Sequence, residues 1–257
     1  MSGHVAEIVE AFRKEFESCK ALLDFARAHR PQKARTPDRA GLVINATYAR
    51  SSKTYQASFR LAGLGYGVQA AMLNRSLFED MVVAHWVERN PVRAPDMLLR
   101  HRQHSVETIR DALQKHGRDI ELSHLPPLSE EERAALADEF GRGHWTGASL
   151  YVLTKDVEDE WPVGIDRELL WQVFDITHYV NNLLLHHTAF GLDMAAALSE
   201  PGIARWDVGS SKTHVHAALL GAFFSYAHTV SLVVDGAALD ELRTLYAQHL
   251  RPFTKAR

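Results

Sequence analysis

The sequence predicts an all-α fold, a single-domain helical bundle with a central pair of apolar helices and a buried polar centre. Apolar residues recur at helical spacing along almost all of the 257 residues, and no segment alternates cleanly between apolar and polar residues. A hydrophobic content of 46% over this length is sufficient to bury a large core. We expect the core helices to begin at Tyr66, Asp166 and Ser211, with the other helices wrapped around them.

Apolar periodicity and breaking residues define four helices in the first half of the chain. The first is amphipathic, the second is polar in composition, and the fourth is charged and mainly exposed. Pro31 and Pro91 follow the first and third helices, since the residue before a proline is biased away from helix. Gly63, Gly65 and Gly67 predict a tight passage between packed helices. The four helices are predicted at residues 5–27, 38–61, 66–88 and 96–115.

Capping residues define the helices of the second half. After the interruption at Pro126-Pro127, the segment Ser129-Glu130-Glu131-Glu132 resembles a capping box that opens a short helix. Asp166 is predicted to cap a long helix, and Ser210 or Ser211 to cap an apolar one. Residues 141–149 are expected to be irregular and residues 201–202 to form a turn. The three helices that complete the chain are predicted at residues 166–190, 211–234 and 239–250.

Composition bounds the partners and the compartment. A formal net charge of −3 at pH 7 gives no overall attraction to nucleic acid or to an acidic membrane. The single cysteine, Cys19, excludes an internal disulfide and a cysteine metal cluster, which fits a reducing cytoplasm. Charged residues follow too soon after the N-terminus for a secretory apolar region. The uncharged stretch 217–234 contains several polar residues, so we interpret it as a central helix rather than a membrane span.

An arginine and a glutamate lie inside the apolar segment 70–86. Because successive residues of an α-helix are rotated by about 100°, Arg75, Glu79, Val82 and Trp86 share one face. Two full charges in a stripe of core-type side chains need partners. The spacing therefore predicts the buried polar centre at Arg75 and Glu79, either as a functional site or as a device that fixes helix register.

A second polar face is predicted in the helix that begins at Asp166. His178, Asn182 and His186 are four residues apart and line one side of this helix, where Arg75 and Glu79 are candidates to meet them. Glu79, His178 and His186 could supply nitrogen and oxygen ligands to a metal, whereas the alternative is a set of hydrogen-bonded core histidines. Since neither Glu-x-x-His nor His-Glu-x-x-His occurs, no metal is assigned, and the cofactor stays open.

Two further patterns bear on chemistry. The segment from His144 to Ser149 combines aromatic, hydroxyl and glycine residues that could cover a pocket, or its Trp145 could fill the core beside a capped helix. Arginine is followed by histidine at the spacing of helical ribonucleases at 110–116, 118–124 and 243–249. Random placement would give roughly four such pairs, so this spacing is uninformative.

Three of these elements resemble a known bacterial helical family, domain of unknown function 5677. They are Arg75-Ser76-Leu77-Phe78-Glu79, Trp145-Thr146-Gly147-Ala148-Ser149 and the helix from Tyr179 to His186. The resemblance covers about residues 48–189, and Asn182 stands where the family more often has serine. It implies a bacterial helical domain of the cytoplasm with no established activity, and site candidates at Arg75, Glu79, Trp145, Ser149, Tyr179 and His186. The chain is then one domain, with an N-terminal helix and basic linker at 1–40, a family-like region at 41–190 and C-terminal helices at 191–257.

The leading hypothesis is a polar pocket that binds a small anionic ligand. Arg75 would bind the anion, Glu79 and His186 could transfer protons, and Trp145 and Tyr179 would form apolar walls. The other ligand-binding candidates are Ser149, His178 and Asn182. The alternatives are a non-catalytic oligomeric or regulatory module, a ribonuclease-like stress or phage-defence effector, and a metal-dependent helical-bundle enzyme.

Overall fold

The protein folds as an all-α helical bundle, as the sequence predicts. A computed structural model describes residues 3–29, 38–118, 127–140, 144–159, 161–164, 166–180, 196–200, 203–206 and 210–254. The α-helices are α1 (Gly3–Ala11), α2 (Arg13–Ala28), α3 (Arg39–Gly63), α4 (Gly67–Arg89), α5 (Arg93–Gln114), α6 (Glu130–Phe140), α7 (Leu150–Val157), α8 (Arg167–Phe174), α9 (Val215–Val230) and α10 (Gly236–Thr254). A π-helical turn, Asp175–Val180, continues α8 directly. None of the described helices is long and apolar enough to cross a membrane.

The centre of the bundle is the pair α4 and α9. α9 is buried along almost its whole length and packs on α4, α3 and α2. Small residues let the two helices approach closely: a Cβ atom on Gly67 would lie 2.2 Å from the carbonyl oxygen of Thr213, and one on Gly221 would lie 2.9 Å from Asn74 Nδ2. This pair is the central apolar helix pair that the sequence predicts.

α3 is a core helix that the sequence does not predict as one. It packs extensively on α4 and on α9, whereas the predicted core helix that begins at Asp166 is described only as far as residue 180. The polar composition of α3 concealed this role, because several of its polar side chains are buried with partners. Ser58 Oγ donates to the carbonyl oxygen of Ala70 and to Asn74 Oδ1, and Asn74 Nδ2 donates to the carbonyl oxygen of Ala218 on α9.

A second buried polar link joins α4, α9 and α10. His85 Nε2 lies 3.2 Å from the carbonyl oxygen of His228, and His228 Nε2 lies 3.2 Å from the hydroxyl of Tyr246. The indole of Trp161 packs against both imidazoles, with centroid distances of 4.2 and 4.5 Å. Both histidines are fully buried, and His228 Nδ1 has no hydrogen-bond partner.

Two local differences from the sequence-based expectation concern chain segments at the periphery. The helix predicted at 5–27 is broken at Phe12, whose backbone leaves the helical region while its ring enters the core. α7 was not predicted, and residues 144–149 are irregular as expected. Of the helix predicted at 166–190, residues 181–190 lie outside the described residues.

A two-stranded antiparallel sheet is the only described element of secondary structure that is not a helix. β1 (Ala196–Glu200) pairs antiparallel with β2 (Ile203–Trp206), with Ala196 opposite Trp206. The sequence does not predict these strands, because both segments are short, are not enriched in β-branched residues and show no alternation of apolar and polar residues. The predicted turn at 201–202 lies outside the described residues.

Candidate functional site

A groove of about 610 Å³ lies between α3, α4, α5 and the irregular segment 144–149. We call it the α3–α5 groove. Its apolar walls include Leu42, Val43, Val83, Leu98 and Trp145. Its polar side chains are Thr47, Arg50, Glu79, Asp80, His101 and His144. The groove therefore combines an apolar body with a cation, two carboxylates and two imidazoles, the mixture typical of small-molecule sites.

Glu79 is paired with His144 at the wall of this groove. Glu79 Oε1 lies 3.2 Å from His144 Nε2, and the two side chains are 35% and 25% exposed. On the other side of the ring, His144 Nδ1 lies 2.8 Å from Thr146 Oγ1 and 3.3 Å from the backbone nitrogen of Thr146. Because a carboxylate can only accept, the imidazole carries a hydrogen on Nε2 and donates it to Glu79. The turn at residues 144–148 thus fixes the orientation of His144.

The surroundings of Glu79 keep its carboxyl ionised. The hydrogen bond from His144 lowers the pKa of Glu79, and the charges of His144, Arg75 and Arg50 lower it further, while burial acts in the opposite direction. Glu79 is therefore a carboxylate at neutral pH. A second negative charge placed beside this carboxylate would raise its pKa and favour the uptake of a proton.

Next to Glu79 on α4, Asp80 anchors an arginine of α3. Its carboxylate is fully buried, accepts from Arg50 Nη2 and from Arg50 Nε over 3.1 Å, and accepts from Ser51 Oγ over 2.9 Å. The side chain of Arg50 is 63% exposed, so its guanidinium is held at one edge and open at the other. The pair presents an oriented cation to the groove.

His101 and Trp145 complete the groove. Burial lowers the pKa of His101, and the neighbouring imidazoles of His104 and His144 lower it further. The ring of Trp145 meets Trp86 edge to face at 5.8 Å, so Trp145 both lines the groove and packs on the core. Both roles that the sequence allowed for Trp145 are therefore present.

Arg75 and His178 lie near Glu79 but do not line the groove. Each has a buried nitrogen without a hydrogen-bond partner among the described residues, Nε in Arg75 and Nδ1 in His178. The imidazole of His178 stacks on Phe174 at 5.1 Å in the π-helical turn. Burial lowers the pKa of His178, the charge of Arg75 lowers it further, and that of Glu79 opposes the change. These two residues and Glu79 therefore share one electrostatic neighbourhood.

The structure brings together some of the predicted site residues and separates others. Glu79 and Trp145 line the groove, and Arg75 and His178 lie close to Glu79. Ser149 caps α7, where its Oγ accepts from the N–H of Val152. Tyr179 is 56% exposed and contacts Phe174 and His178. Asn182 and His186 lie outside the described residues, so the predicted partnership of His186 with Arg75 and Glu79 is untested.

The polar centre of α4 lies one residue away from the predicted positions. Arg75 and Glu79 are only partly buried, whereas Asn74 and Asp80 are 1% exposed. A shift of one residue turns a side chain by about 100°, so Asn74 and Asp80 face the neighbouring helices and Glu79 faces the groove. Sequence reasoning missed Arg50, Asp80 and His101 as groove residues. A second acid beside Glu79 in an apolar helix was the available signal for Asp80.

A metal at Glu79, His178 and His186 finds no support in the described part of the chain. No three histidine, cysteine, aspartate or glutamate side chains there are grouped closely enough to hold an ion. His186 is outside this part, so the complete predicted set is untested.

The chain matches one family model over residues 41–174, more than half of its length, and the description of that family is family of unknown function (DUF5677). The match contains two of the three elements on which the resemblance was based, at 75–79 and 145–149, and ends before Tyr179. No curated protein and no solved structure matches the chain significantly. The groove residues from Leu42 to Trp145 all lie inside the matched segment. The chain therefore belongs to the family of unknown function DUF5677.

Proposed function

We propose that the α3–α5 groove binds a small molecule with an anionic group and an apolar body, and that Glu79, hydrogen-bonded by His144, takes up a proton when the anion binds. The observation that carries this proposal is the pair of Glu79 and His144. The imidazole of His144 is oriented by its contacts with Thr146, and the carboxylate of Glu79 faces a groove of ligand size.

Arg50 is the anchor for the anionic group. The buried carboxylate of Asp80, which also accepts from Ser51, binds one edge of the Arg50 guanidinium, while most of the Arg50 side chain is exposed. A cation that is already oriented loses less freedom when an anion binds. The apolar groove wall, which includes Val43, Val83 and Trp145, would cover the rest of the molecule.

The chemistry follows from the protonation states. Glu79 is ionised in the free protein and has Oε2 beside the Oε1 that accepts from His144. An anionic group bound beside Glu79 raises its pKa, so Oε2 takes up a proton from solvent and donates it to the anion, while His144 keeps its hydrogen on Nε2. In this proposal His144 supplies the imidazole that the sequence-based hypothesis assigned to His186.

Binding and proton exchange can be measured together by calorimetry. A collection of small carboxylates and phosphate esters would first be screened by ligand-observed NMR on the purified protein. Hits would then be titrated in buffers of different ionisation enthalpy, so that proton uptake appears as a slope. Glu79→Gln is expected to abolish the slope, and Arg50→Gln to weaken binding about tenfold or more.

Matched controls separate the site from general effects of charge. Glu131→Gln and Arg93→Gln change exposed residues that do not line the groove and should leave slope and affinity unchanged. Circular dichroism would verify that each variant is folded. Hits whose affinity and proton uptake were indifferent to both Glu79→Gln and Arg50→Gln would overturn the proposal.

The other predictions stay open. Arg75, Tyr179 and His178 remain proposed ligand-binding residues, and a bacterial, cytoplasmic setting and a homo-oligomer remain predictions from the sequence. No described contact specifically favours the regulatory module. The ribonuclease-like alternative gains nothing from Arg110, which forms a buried ion pair with Glu107 on α5.

A further inference from the structure

A second cavity, of about 410 Å³, lies between α2 and α3 and is closed at its inner end by α9. We call it the tyrosine pocket. Its polar and aromatic lining consists of Arg27, Asn45, Tyr48, Ser52, Lys53, Gln56 and Tyr226. None of these residues lines the α3–α5 groove.

The two cavities lie on different faces of α3. The groove uses positions 43, 46, 47 and 50, whereas the tyrosine pocket uses positions 45, 49, 52 and 56. At 100° per residue these two sets are separated by roughly a third of a turn. The polar composition of α3, which was unexplained by the sequence alone, therefore serves two cavities.

The lining of the tyrosine pocket is positively charged, whereas the chain as a whole has a negative net charge. Arg27 and Lys53 line it, and among the described lining residues there is no carboxylate. The nearest recorded acid, Asp24, lies 3.8 Å from Arg27 in an exposed pair, which neutralises little. In a chain of net charge −3, two cations facing one cavity favour an anion, and their number suits a dianion.

The hydrogen bonds at the inner end leave acceptors rather than donors. Ser52 Oγ donates to the carbonyl oxygen of Tyr48 over 2.8 Å, so in its 2.9 Å contact with Tyr226 the tyrosine hydroxyl is the donor. Gln56 Nε2 donates to the carbonyl oxygen of Ser52 over 3.1 Å. The lone pairs of Tyr226 Oη and Gln56 Oε1 remain to accept from a ligand.

The inner wall is rigid and partly aromatic. Tyr226 is 1% exposed and stacks on Tyr55 at a centroid distance of 4.3 Å. Tyr48 lies nearly parallel to Tyr226, with an interplanar angle of 12°. Burial raises the pKa of Tyr226, so its hydroxyl keeps its proton and its hydrogen-bonding direction.

The geometry points to a second ligand site, in which the tyrosine pocket binds a small organic phosphate monoester. Arg27, Lys53 and the amide of Asn45 would hold the phosphate at the mouth. The organic part would lie against Tyr48 and donate a hydrogen bond to Tyr226 Oη or Gln56 Oε1. This site is independent of the proton exchange proposed for the α3–α5 groove.

The test is an NMR titration of the isotopically labelled full chain with phenyl phosphate, phenol and inorganic phosphate. We expect saturable shifts of α2 and α3 residues around the tyrosine pocket, and tighter binding of phenyl phosphate than of either fragment. Lys53→Glu, a change at an exposed side chain, should weaken binding about tenfold or more. Tyr226→Phe removes an acceptor at the inner end and should leave the affinity for phenyl phosphate unchanged, because its phenyl ring has no hydrogen to donate.

Lys155→Glu is the matched control, because Lys155 is exposed on α7 and does not line the pocket. Glu79→Gln should also leave the affinity unchanged, which separates this site from the groove. The inference fails if phenyl phosphate does not saturate, if phenol binds as tightly, or if Lys53→Glu matches the unmodified protein. Shifts confined to residues around Glu79 would equally overturn it.

Discussion

Asn74, Glu79 and Asp80 are polar residues of one helix, and each meets different surroundings. Asn74 ties α4 to α3 and α9, Asp80 holds Arg50 and Ser51, and Glu79 faces the groove with His144. Their roles follow from the angular position of each residue around the helix axis. At the residue scale, burial distinguishes Asp80, which is enclosed by its partners, from Glu79, which faces the groove.

Asp80→Asn is expected to destabilise the fold. The buried carboxylate of Asp80 accepts two hydrogen bonds from Arg50 and one from Ser51. The change removes its negative charge and replaces one accepting oxygen by an amide group whose hydrogens face these donors. Since Arg50 can turn to water, we expect a loss of about 1–3 kcal/mol in the free energy of unfolding in urea. Asp138→Asn, on the exposed side of α6, is the control. Equal stability of the two variants would contradict the anchoring role.

His144→Leu is expected to raise the pKa of Glu79. The imidazole provides the largest contribution to the lowered pKa, and the replacement removes both its hydrogen bond and its charge. A carboxyl with a lowered pKa in the folded state stabilises the fold above its unfolded pKa, and this contribution is lost as pH falls through the folded value. Carbon-detected NMR of the labelled Glu79 carboxyl would measure the change. An unaltered titration midpoint would show that His144 is not the cause.

Sequence reasoning found Glu79 and Trp145 but not the pairing of Glu79 with His144. His186 is the predicted partner because it shares a helix face with His178, and it lies outside the described residues, whereas His144 belongs to an irregular segment. Helical periodicity can relate residues within one helix, but it cannot tell which loop folds over that helix. The orientation of His144 depends on contacts with Thr146, which no side-chain pattern encodes.

At the scale of elements, the buried histidines link three helices and make their packing sensitive to acid. Burial lowers the pKa of His85 to about 3, and burial and the charge of His85 lower that of His228 well below its usual value. The groups around them are Arg89 on α4, Tyr246 on α10 and the indole of Trp161, none of which can neutralise an imidazolium. Both imidazoles therefore stay neutral while α4, α9 and α10 are packed.

We expect stability to fall as pH drops below the ordinary histidine range. In this range the two histidines bind protons in the unfolded chain but not in the folded chain. Each histidine therefore lowers the free energy of unfolding by about 1.4 kcal/mol between about pH 7.5 and about pH 5.5. Urea denaturation across this range would measure the slope. His85→Leu should remove one of the two contributions, while His116→Leu, at an exposed position, should leave the slope as it is. A slope unchanged by His85→Leu would refute this explanation.

The close approach of α4 to the start of α9 gives a second prediction for elements. Gly67→Ala would place a Cβ atom 2.2 Å from the carbonyl oxygen of Thr213, a backbone atom that cannot move aside. We expect a loss of about 1–3 kcal/mol, measured by thermal unfolding. Gly63→Ala is the control, because its Cβ would lie 3.6 Å from the nearest atom of Phe16. If both variants melted together, the contact at Gly67 would not be tight.

At the scale of the whole molecule, the all-α class and the α4–α9 pair were predictable because apolar periodicity and caps determine them. The central position of α3 was not, since its polar side chains find partners only once α4 and α9 are in place, as Ser58 does with Asn74. The two-stranded sheet was not predictable either, because Ala196–Glu200 has the composition of a helix. Tertiary contacts decided both cases.

Residues 41–174 alone are expected not to fold cooperatively. This fragment keeps α3 and α4 but lacks α9, against which the most buried face of α4 packs. Without α9, the buried side chains of Leu77, Phe78 and Met81 would become largely exposed to water. The free energy lost with this apolar burial exceeds the stabilisation that the remaining helices provide. Circular dichroism melting of the fragment beside the full chain would test this. A sharp transition in the fragment would contradict it.

The seating of α9 against α4 also bears on how relatives of this chain can change over evolutionary time. The matched segment carries the groove, whereas the helix that completes its interior comes from outside that segment. The interface with α4 requires side chains that fill its volume and leave room for the close approach of the two backbones. The size of the residues at the positions of Ala218 and Gly221 therefore matters more than their exact type. We therefore expect the last third of related chains to drift in sequence under a constraint of shape, while the surface that carries Glu79 and His144 drifts under a constraint of chemistry.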